Sequence, residues 1–217
     1  MKKAILFGAS GFIGSCLLAD LLENKDYELV SVVVRKTLGF SHPKLRELIG
    51  DYSSLHLLEG KIDADEVFIT LGTTRAKTPD KAQYYQVDHD YPVGAAKMAR
   101  EAGVKSVLVV TAVGANANSG IFYTRTKGEI ERDIIALNFE YTCIFRPSMI
   151  MGERKENRRF EKTLIKVWVF INPLLTGKSL SKYRGITGQH VATAMMNAAK
   201  NQKEKVKIFH WQKMMEM

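Results

Sequence analysis

Short apolar runs alternate with helical patterns along most of this chain. Each run has a length that suits a strand, and turn-forming or charged residues separate it from the next periodic segment. The runs lie at residues 3–7, 28–34, 66–71, 105–111 and 140–145. Strands that alternate with helices indicate a parallel sheet, and continuous apolar runs fit strands that are covered on both faces. The pattern predicts an α/β fold with a doubly wound parallel sheet and helices on both faces.

The segment 45–60 allows two interpretations. Leu45, Leu48 and Ile49 are spaced as on a helix face, but a short third strand that ends before Asp51 fits the alternation of strands and helices better. We predict the strand.

The remaining segments complete the predicted organisation. A helical pattern covers residues 80–102, ends near Gly103, and contains Pro92, which should kink or interrupt it. After Pro147 the pattern loosens until a helix at 189–200, and we interpret this region as a small C-terminal cap on the substrate side. With 217 residues and no linker or repeat, we predict a single domain over residues 1–217.

The first strand runs directly into a glycine triplet, Gly8, Gly11 and Gly14. Such a triplet between a strand and a helix is typical of a dinucleotide site, where it allows a tight turn, a close approach of backbone N–H groups to a pyrophosphate, and close packing of the helix. Ser10, Phe12 and Ile13 belong to the same predicted loop. The alternative is a glycine-rich turn that only packs a strand against a helix.

Charge and composition exclude several classes of protein. The net charge is +9, but Lys and Arg are spread along the chain and are dense only at 153–159, which favours a solvated surface over a nucleic-acid groove. No stretch of ~20 apolar residues predicts an integral membrane segment. A strand follows Met-Lys-Lys at once, which leaves no room for a signal peptide, so we predict a cytoplasmic protein.

Metal and disulfide chemistry are not indicated either. Cys16 and Cys143 lie in predicted core elements and are expected to be free thiols. The five histidines have no spacing that suggests a metal site, so we predict none.

Tyr123 and Lys127 are the strongest candidates for catalysis. On a helix this spacing places both side chains on one face, where the lysine ammonium stabilises a phenolate and lowers the pKa of the phenol. A phenol tuned in this way can protonate a carbonyl oxygen as hydride arrives, while the lysine also holds a nicotinamide ribose. The pair follows the strand at 105–111, at the sheet edge where open α/β sheets bind ligands. Many helices carry such a pair without a catalytic role.

The end of the second strand predicts the cofactor. Arg35 and Lys36 follow Val34, where an acidic residue would accept a hydrogen bond from the ribose of NAD. A guanidinium instead matches the 2′-phosphate of NADP, so we predict NADP over NAD. The alternative is a solvated pair of basic residues.

Together these motifs resemble the short-chain dehydrogenase/reductases, and more narrowly the atypical subgroup that contains the HIV Tat-interacting protein. The resemblance covers most of the chain, and its specific motifs lie up to Pro147. The motifs are Gly8-Ala-Ser-Gly11-Phe-Ile-Gly14, Leu71-Gly-Thr-Thr-Arg75, Gln86-Val-Asp88, Ala112-Val-Gly-Ala-Asn116, Tyr123-Thr-Arg-Thr-Lys127 and Arg146-Pro-Ser148.

The resemblance implies a Rossmann fold and a set of site residues. The glycine loop would hold the pyrophosphate, and Leu71, Gly72 and Thr73 would lie along the cofactor. Tyr123 and Lys127 would be the catalytic pair, Asp51 would contact the adenine amino group, and Pro147 would mark the turn over the nicotinamide. These contacts would be the cofactor-binding ones.

The chain departs from the family at one catalytic position. The family usually places a serine beside the tyrosine, where this sequence has Thr111-Ala112. Thr111 keeps a hydroxyl that could orient a substrate carbonyl, and its alternative role is that of an ordinary strand-end threonine. Arg146 also has a structural alternative, a pairing with a buried acid.

Two further groups of residues bear on the substrate pocket and on the oligomeric state. Phe160, Trp168, Phe170 and Tyr183 would line a substrate pocket or belong to the core. Lys97, Arg100, Glu131 and Arg132 indicate wet helix surfaces and argue against a dimer seam, so we expect a monomer or a weak homodimer.

These observations predict an NADP-dependent oxidoreductase that transfers hydride to a small carbonyl or quinone substrate. One alternative is a non-catalytic NADP(H)-binding sensor. Another is a sugar-nucleotide epimerase or dehydratase, but that would need a larger substrate domain than the residues after Pro147 provide.

Overall fold

The computed structural model describes residues 1–51, 60–152 and 181–217. The strands are β1 (Lys2–Phe7), β2 (Tyr27–Val34), β3 (Leu45–Ile49), β4 (Glu66–Ile69), β5 (Ser106–Val110), β6 (Tyr141–Phe145), β7 (Ile150–Met151), β8 (Ile186–Thr187) and β9 (Val206–Phe209). The α-helices are α1 (Phe12–Glu23), α2 (Lys81–Tyr85), α3 (Tyr91–Glu101), α4 (Phe122–Ala136), α5 (Gly188–Lys200) and α6 (Trp211–Met215).

Seven of these strands form one parallel sheet in the order β3-β2-β1-β4-β5-β6-β9. The chain winds outward in one direction from β1 to β3 and in the other direction from β4 onward. The reversal lies between β1 and β4, and open α/β sheets bind ligands beyond the carboxyl ends of strands at such a point. The prediction of a doubly wound parallel sheet is confirmed.

Helices cover both faces of this sheet. One face packs against α1 and α5 through residues such as Leu17, Leu21 and Met195. The opposite face packs against α3 and α4 through residues such as Ala99 and Ile134. Every residue of β4 and β5 is buried, because helices cover both faces of the sheet. This burial explains the uninterrupted apolar runs within these two strands.

The predicted strands are confirmed, including the short third strand that ends before Asp51. The helical pattern at 80–102 forms two α-helices joined by a π-helical turn, Gln86–Asp90. Pro92 lies in the first turn of α3, and its missing N–H cannot continue a regular hydrogen-bond ladder, so the interruption directly precedes it. Gly103 follows α3 with a φ of +87°, as a helix-ending glycine should.

The C-terminal region differs from the predicted cap. Helix α5 packs against α1, and β9 extends the main sheet beside β6, so both belong to the sheet layers. Within the described residues, only the β7–β8 pair and the 3₁₀ turn Ser181–Tyr183 remain as candidates for a cap. The hydrophobic pattern does not predict β9, because Lys207 interrupts this short edge strand. The single domain over residues 1–217 stays a prediction.

Candidate nucleotide-binding site and adjoining cavity

The glycine loop forms a compact turn between β1 and α1. Gly8 has a φ of +94°, a conformation that side chains rarely adopt, and its carbonyl accepts a hydrogen bond of 2.9 Å from Gly11 N. A Cβ on Gly14 would overlap the Gly8 carbonyl oxygen. The first and third glycines are therefore required by the backbone itself.

The start of α1 is suited to an anion. No side chain caps the helix at Gly11, and the first turn contains no acidic residue. Backbone N–H groups in the first turn of a helix and the positive end of the helix dipole favour a negatively charged group such as a pyrophosphate. Ser10 and Gly11 are exposed at the tip of the loop. The residues present therefore fit a dinucleotide cofactor.

Phe12 and Ile13 turn their side chains toward the protein. Ile13 is buried in the core, and the Phe12 ring packs so closely against Gly152 and Gly188 that a Cβ on either would collide with it. Any contact of these two residues with a pyrophosphate would therefore come from their backbone N–H groups. The close packing of Phe12 also connects the glycine loop to the residue after β7 and to the start of α5.

Thr70 locks the neighbouring strand end to the glycine loop. Its Oγ1 donates a 3.1 Å hydrogen bond to Phe7 O, and its N–H donates to the same carbonyl at 2.9 Å. A Cβ on Gly8 would lie 2.7 Å from Thr70 Oγ1, which is another reason why Gly8 has no side chain. The sequence gives no signal for this role, because a threonine at a strand end is ordinary.

The loop Leu71–Thr73 lies over Asp88 and Lys127. Thr73 N donates a 2.8 Å hydrogen bond to Asp88 Oδ1, and a Cβ on Gly72 would lie 3.0 Å from that oxygen and 3.8 Å from Lys127 Nζ. The structure therefore brings together the loop assigned to the cofactor and the lysine assigned to catalysis, which the sequence separates by more than fifty residues.

Asp88 connects the loop Leu71–Thr73 to Lys127, and the sequence alone predicted no role for it. It is fully buried on the π-helical turn, and its Oδ1 lies 3.4 Å from Lys127 Nζ. Both side chains of this ion pair are buried. The available signal was a lone acid at a helix position that faces the core, within the motif Gln86-Val-Asp88.

Tyr123 lies one helical turn before Lys127, at the start of α4. The side chain exposes 46% of its surface and lines a cavity. Partial burial, followed by the negative charge of Asp88, raises the pKa of Tyr123 to about 12. The pKa therefore lies above the ordinary value of a phenol, and a lowering of it by Lys127 stays a prediction.

The cavity next to Tyr123 has a volume of about 480 Å³. It lies between the loop after β4, the start of α2 and the start of α4. Tyr84 and Phe122 form part of its wall, with their rings edge to face and their centroids 5.8 Å apart. Burial, and then the nearby Asp88 carboxylate, raises the pKa of Tyr84 well above its ordinary value.

Only some of the predicted pocket residues can be placed. Tyr183 lies on the 3₁₀ turn and is not among the residues that line this cavity. Phe160, Trp168 and Phe170 lie outside the described residues.

Thr111 does not point its hydrogen at this cavity. The side chain is buried, and Oγ1 donates a 2.6 Å hydrogen bond to Glu131 Oε1. Because a hydroxyl has a single hydrogen, the same group cannot also donate to a substrate carbonyl without breaking that bond. The predicted orienting role is corrected to a structural one.

Glu131 also pairs with Arg146. Arg146 Nε donates to Glu131 Oε1 at 2.9 Å, and Arg146 Nη2 donates to Glu131 Oε2. The structural alternative for Arg146, a pairing with an acid, is confirmed. Glu131 is only 5% exposed, so the prediction that it lies on a wet helix surface is wrong.

The residues assigned to the adenosine end lie around the ends of β2 and β3. Arg35 and Lys36 directly follow β2 and are exposed, and Asp51 is exposed beyond β3. The nearby carboxylate of Glu47 accepts hydrogen bonds from Thr37 Oγ1 at 2.7 Å and Leu38 N at 2.8 Å. That carboxylate folds the β2–β3 loop back onto β3, while Arg35 and Lys36 face solvent.

Pro147 and the cysteines complete the comparison with the predicted residues. Pro147 is buried, and its carbonyl accepts a 2.8 Å hydrogen bond from Val113 N, so it holds the segment after β5 in place. Cys16 and Cys143 are free thiols, as predicted.

Comparisons with curated proteins identify relatives across most of the chain. The protein FMP52, mitochondrial, of Candida glabrata is 34% identical over 207 residues, which is 94% of this chain and 88% of the relative. The protein of the same name from Aspergillus fumigatus is 37% identical over 171 residues, which is 76% of this chain and 73% of the relative.

The names of these relatives correct one prediction. They describe mitochondrial proteins, which contradicts the expectation of a cytoplasmic protein. The expectation used the lack of a signal peptide, and that absence does not distinguish among compartments that need no such peptide. In the described part of the chain, no helix has both the length and the apolar character of a membrane span.

Solved structures share the fold at low identity. The chain is similar to MoeE5 in complex with UDP-glucose and NAD, with a TM-score of 0.72, 20% identity, and coverage of 95% of this chain and 75% of MoeE5. It is also similar to the UDP-N-acetylglucosamine 4-epimerase from Methanobrevibacter ruminantium M1, with a TM-score of 0.71, 16% identity, and coverage of 96% and 76%.

The family itself is given by the sequence match. A model of the NAD(P)H-binding family matches residues 8–202, a range that starts at the first glycine of the loop and includes Asp88, Tyr123 and Lys127. With its parallel Rossmann-type sheet and its glycine loop, this chain belongs to the NAD(P)H-binding family.

Proposed function

We propose that this protein is an NADPH-dependent oxidoreductase of the atypical short-chain dehydrogenase/reductase class, which transfers hydride to a small carbonyl or quinone substrate. The observation that carries the proposal is the arrangement on α4. Tyr123 opens onto a cavity of about 480 Å³, while Lys127, one turn away, lies against the loop Leu71–Thr73. A proton donor and a cofactor-binding lysine would need this separation between a substrate side and a cofactor side.

The residues on the cofactor side would each bind a different part of the dinucleotide. The N–H groups at the start of α1 would hold the pyrophosphate, and Lys127 would bind the nicotinamide ribose. Arg35 and Lys36 would meet the 2′-phosphate, Asp51 would contact the adenine, and Pro147 would lie near the nicotinamide. A bound NADPH would supply the hydride.

Tyr123 would handle the proton. Because its pKa is about 12, the phenol is protonated at neutral pH and ready to donate. When the substrate carbon gains hydride and its carbonyl π-bond breaks, the oxygen takes the phenolic proton and Tyr123 becomes a phenolate. Lys127 would stabilise this phenolate, and solvent would return the proton.

Asp88 would act as a positioning residue. Its buried carboxylate binds both Thr73 N and the Lys127 ammonium, so it fixes the lysine with respect to the loop over it. We infer that Asp88 orients Lys127 toward the ribose and limits how strongly the ammonium stabilises the phenolate.

The preference for NADPH rests on Arg35 and Lys36. Both side chains are exposed directly after β2, where a phosphate could form charge-assisted hydrogen bonds with them. The carboxylate of Glu47 is already engaged by Thr37 and Leu38, so it is a poor partner for the ribose hydroxyls of NAD.

A second candidate function is a sensor that binds NADP(H) without turnover. The observation in its favour concerns Thr111, at the position where the family usually has a catalytic serine. The Thr111 hydroxyl donates its hydrogen bond to Glu131. An enzyme that lacks this donor must orient its substrate by other means. The membership of the subgroup that contains the HIV Tat-interacting protein also stays a prediction.

One experiment separates these functions. Purified protein is titrated with NADPH and, separately, with NADH, while the fluorescence of the reduced nicotinamide is recorded. A panel of small aldehydes, ketones and quinones is then added. We expect tighter binding of NADPH and its oxidation by at least one compound. Tight binding without oxidation by any compound would support the sensor, and no binding of either cofactor would contradict both.

A further inference from the structure

The cavity beside Tyr123 combines an apolar wall with a cationic rim. Ile121, Phe122, Tyr84 and Pro79 supply most of the apolar surface. Arg75 and Lys81 also line the cavity, and both are exposed at its edge. A cavity with this lining fits a ligand that has an apolar body and a charged end.

The two cations do not form ion pairs with any other described residue. Arg125, by contrast, lies on the same helix turn as Phe122 and is engaged by Glu129 at 3.9 Å and by Ser119 O at 3.3 Å. The acids nearest to the rim in the chain are also occupied. Asp80 caps α2 by accepting from Gln83 N, and Asp88 is buried against Lys127.

The loop that carries Arg75 is closed on itself. Thr73 Oγ1 and Thr78 Oγ1 share a 2.9 Å hydrogen bond, and Lys77 N and Thr78 N both donate to Thr74 O at 2.9 Å. This closed turn holds Arg75 between its two ends, beside the cavity. Lys81 also lines this cavity, and its Nζ lies 6.0 Å from the centroid of the Phe122 ring.

We propose that the substrate is an apolar aldehyde or ketone that carries an anionic group at its far end. The carbonyl would lie at Tyr123, the apolar body along Phe122 and Tyr84, and the anion between Arg75 and Lys81. A guanidinium binds a carboxylate through two parallel hydrogen bonds, and an ammonium adds a point charge. This proposal rests on the proposed oxidoreductase function, because it assigns the substrate class of the same site.

The test compares para-carboxybenzaldehyde with its uncharged methyl ester as substrates of the NADPH-loaded protein. Exposed ion pairs have small energies, so we expect each cation to raise kcat/KM for the acid by about two- to fivefold over the ester. Arg75→Gln and Lys81→Gln should each remove that factor for the acid and leave the ester unchanged. The advantage of the acid should also shrink at high salt, because the rim is solvent-exposed.

Lys97→Gln is the matched control. Lys97 is an exposed lysine on α3 that pairs with Glu101, and it does not line the cavity. We expect this variant to keep the wild-type ratio of acid to ester. Equal kcat/KM values for the two aldehydes in the wild-type protein would overturn the substrate class and leave the oxidoreductase function standing.

A binding measurement separates the two proposals if neither aldehyde is reduced. The reduced products, para-carboxybenzyl alcohol and its methyl ester, are titrated onto the full chain and followed by ligand-observed NMR. Stronger binding of the acid that is lost in Arg75→Gln and Lys81→Gln would support the anionic ligand independently of turnover. Equal binding of both alcohols would overturn the anionic ligand as well.

Discussion

Helix α4 carries two buried charged residues one turn apart, Lys127 and Glu131, and their ion pairs have different surroundings. Lys127 meets Asp88 at 3.4 Å beneath the loop Leu71–Thr73. Glu131 meets Arg146 and also accepts the hydroxyl of Thr111. Both pairs lie near the carboxyl ends of the parallel strands, where ligands bind in this type of fold.

The two pairs differ in how completely they are hydrogen-bonded. Both carboxylate oxygens of Glu131 accept hydrogen bonds from side chains of β6 or of the β5 end. Asp88 Oδ1 accepts from Thr73 N, but Asp88 Oδ2 is buried and accepts no hydrogen bond from a described residue. Buried polar groups are usually satisfied, so the complete pair is what a scaffold needs. The incomplete pair lies beneath the loop Leu71–Thr73, beside the residues proposed for the cofactor, so we propose function at Lys127 and structure at Glu131.

The largest effect should come from Tyr123→Phe. Removing the proton donor should reduce turnover by about a hundredfold to ten-thousandfold, the usual contribution of general acid catalysis. The affinity for NADPH and the free energy of unfolding should stay near the wild-type values, because the hydroxyl opens onto the cavity. Steady-state kinetics, cofactor titration and urea unfolding provide the three measurements.

Tyr141→Phe is the control for that experiment. Tyr141 is the first residue of β6 and lies at the amino ends of the parallel strands, away from the proposed site at their carboxyl ends, so its hydroxyl should not affect turnover. A loss of turnover in Tyr123→Phe that is matched by an equal loss of NADPH affinity would contradict the role of Tyr123 as a proton donor.

Breaking the ion pair between Glu131 and Arg146 should lower the stability of the protein. Glu131→Ala leaves Arg146 without its partner and should lower the free energy of unfolding by about 3–5 kcal/mol, the usual cost of breaking a buried ion pair. Urea unfolding measures the loss, and Glu140→Ala, which removes an exposed acid after α4, is the control. A loss no larger than that of the control would show that the two pairs on α4 do not differ as we describe.

Breaking the ion pair between Asp88 and Lys127 should lower cofactor affinity and turnover together. Lys127→Ala removes the group assigned to the ribose and to the phenolate, so both quantities should fall, by about tenfold or more, since hydrogen bonds to charged groups contribute about 1.5–3 kcal/mol. The NADPH titration and the steady-state rate of the folded fraction check this expectation. Normal NADPH affinity in the variant would remove Lys127 from the cofactor site.

The pH dependence sharpens the role of Asp88. The carboxylate helps to raise the pKa of Tyr123 to about 12, so Asp88→Asn should lower that pKa. Because the folded-state pKa is raised, the stability that the protonated phenol contributes is present below its unfolded-state pKa of about 10. That contribution is lost as the pH rises through 10 toward about 12.

Difference absorbance of tyrosinate measures this titration. The component that disappears in Tyr123→Phe belongs to Tyr123, and Asp88→Asn should move it to lower pH. An unchanged midpoint would mean that Asp88 does not act on the phenol.

The smallest effect should be on cofactor choice. Arg35→Ala should reduce the preference for NADPH over NADH by about three- to tenfold, because the exposed guanidinium would form charge-assisted bonds that water partly screens. Fluorescence titration with both cofactors gives the ratio. Lys25→Ala is the control. It removes an exposed charge before the amino end of β2, whereas Arg35 follows the carboxyl end, so it should leave the ratio unchanged.

The hydrophobic pattern predicted most of the fold because it records burial. The strands, the glycine turn and the Tyr123–Lys127 face all follow from local spacing. The strand β9 did not, since it lies at the sheet edge, where Val206 is exposed and only Phe209 is buried. An edge strand that buries little has little hydrophobic signal.

The pattern could not predict which charges are buried together. Glu131 and Arg146 resemble surface residues in the sequence, and only the crossing of α4 over β6 brings them into contact. Asp88 and Lys127 come from different helical segments and meet under a loop of a third element. Thr111 was assigned to catalysis because its strand position is right, while the neighbour that occupies its hydroxyl lies twenty residues away.

An isotope experiment tests the proposed hydride transfer most directly. The protein is loaded with NADPH that is deuterated at both transferable positions of the nicotinamide ring, and the panel of carbonyl compounds and quinones is added. We expect an alcohol or hydroquinone product to form as NADPH is oxidised, and an alcohol product to carry the deuterium on its former carbonyl carbon. Deuterated NADPH that stays bound and intact with every compound would contradict hydride transfer and leave a protein that binds the cofactor without using it.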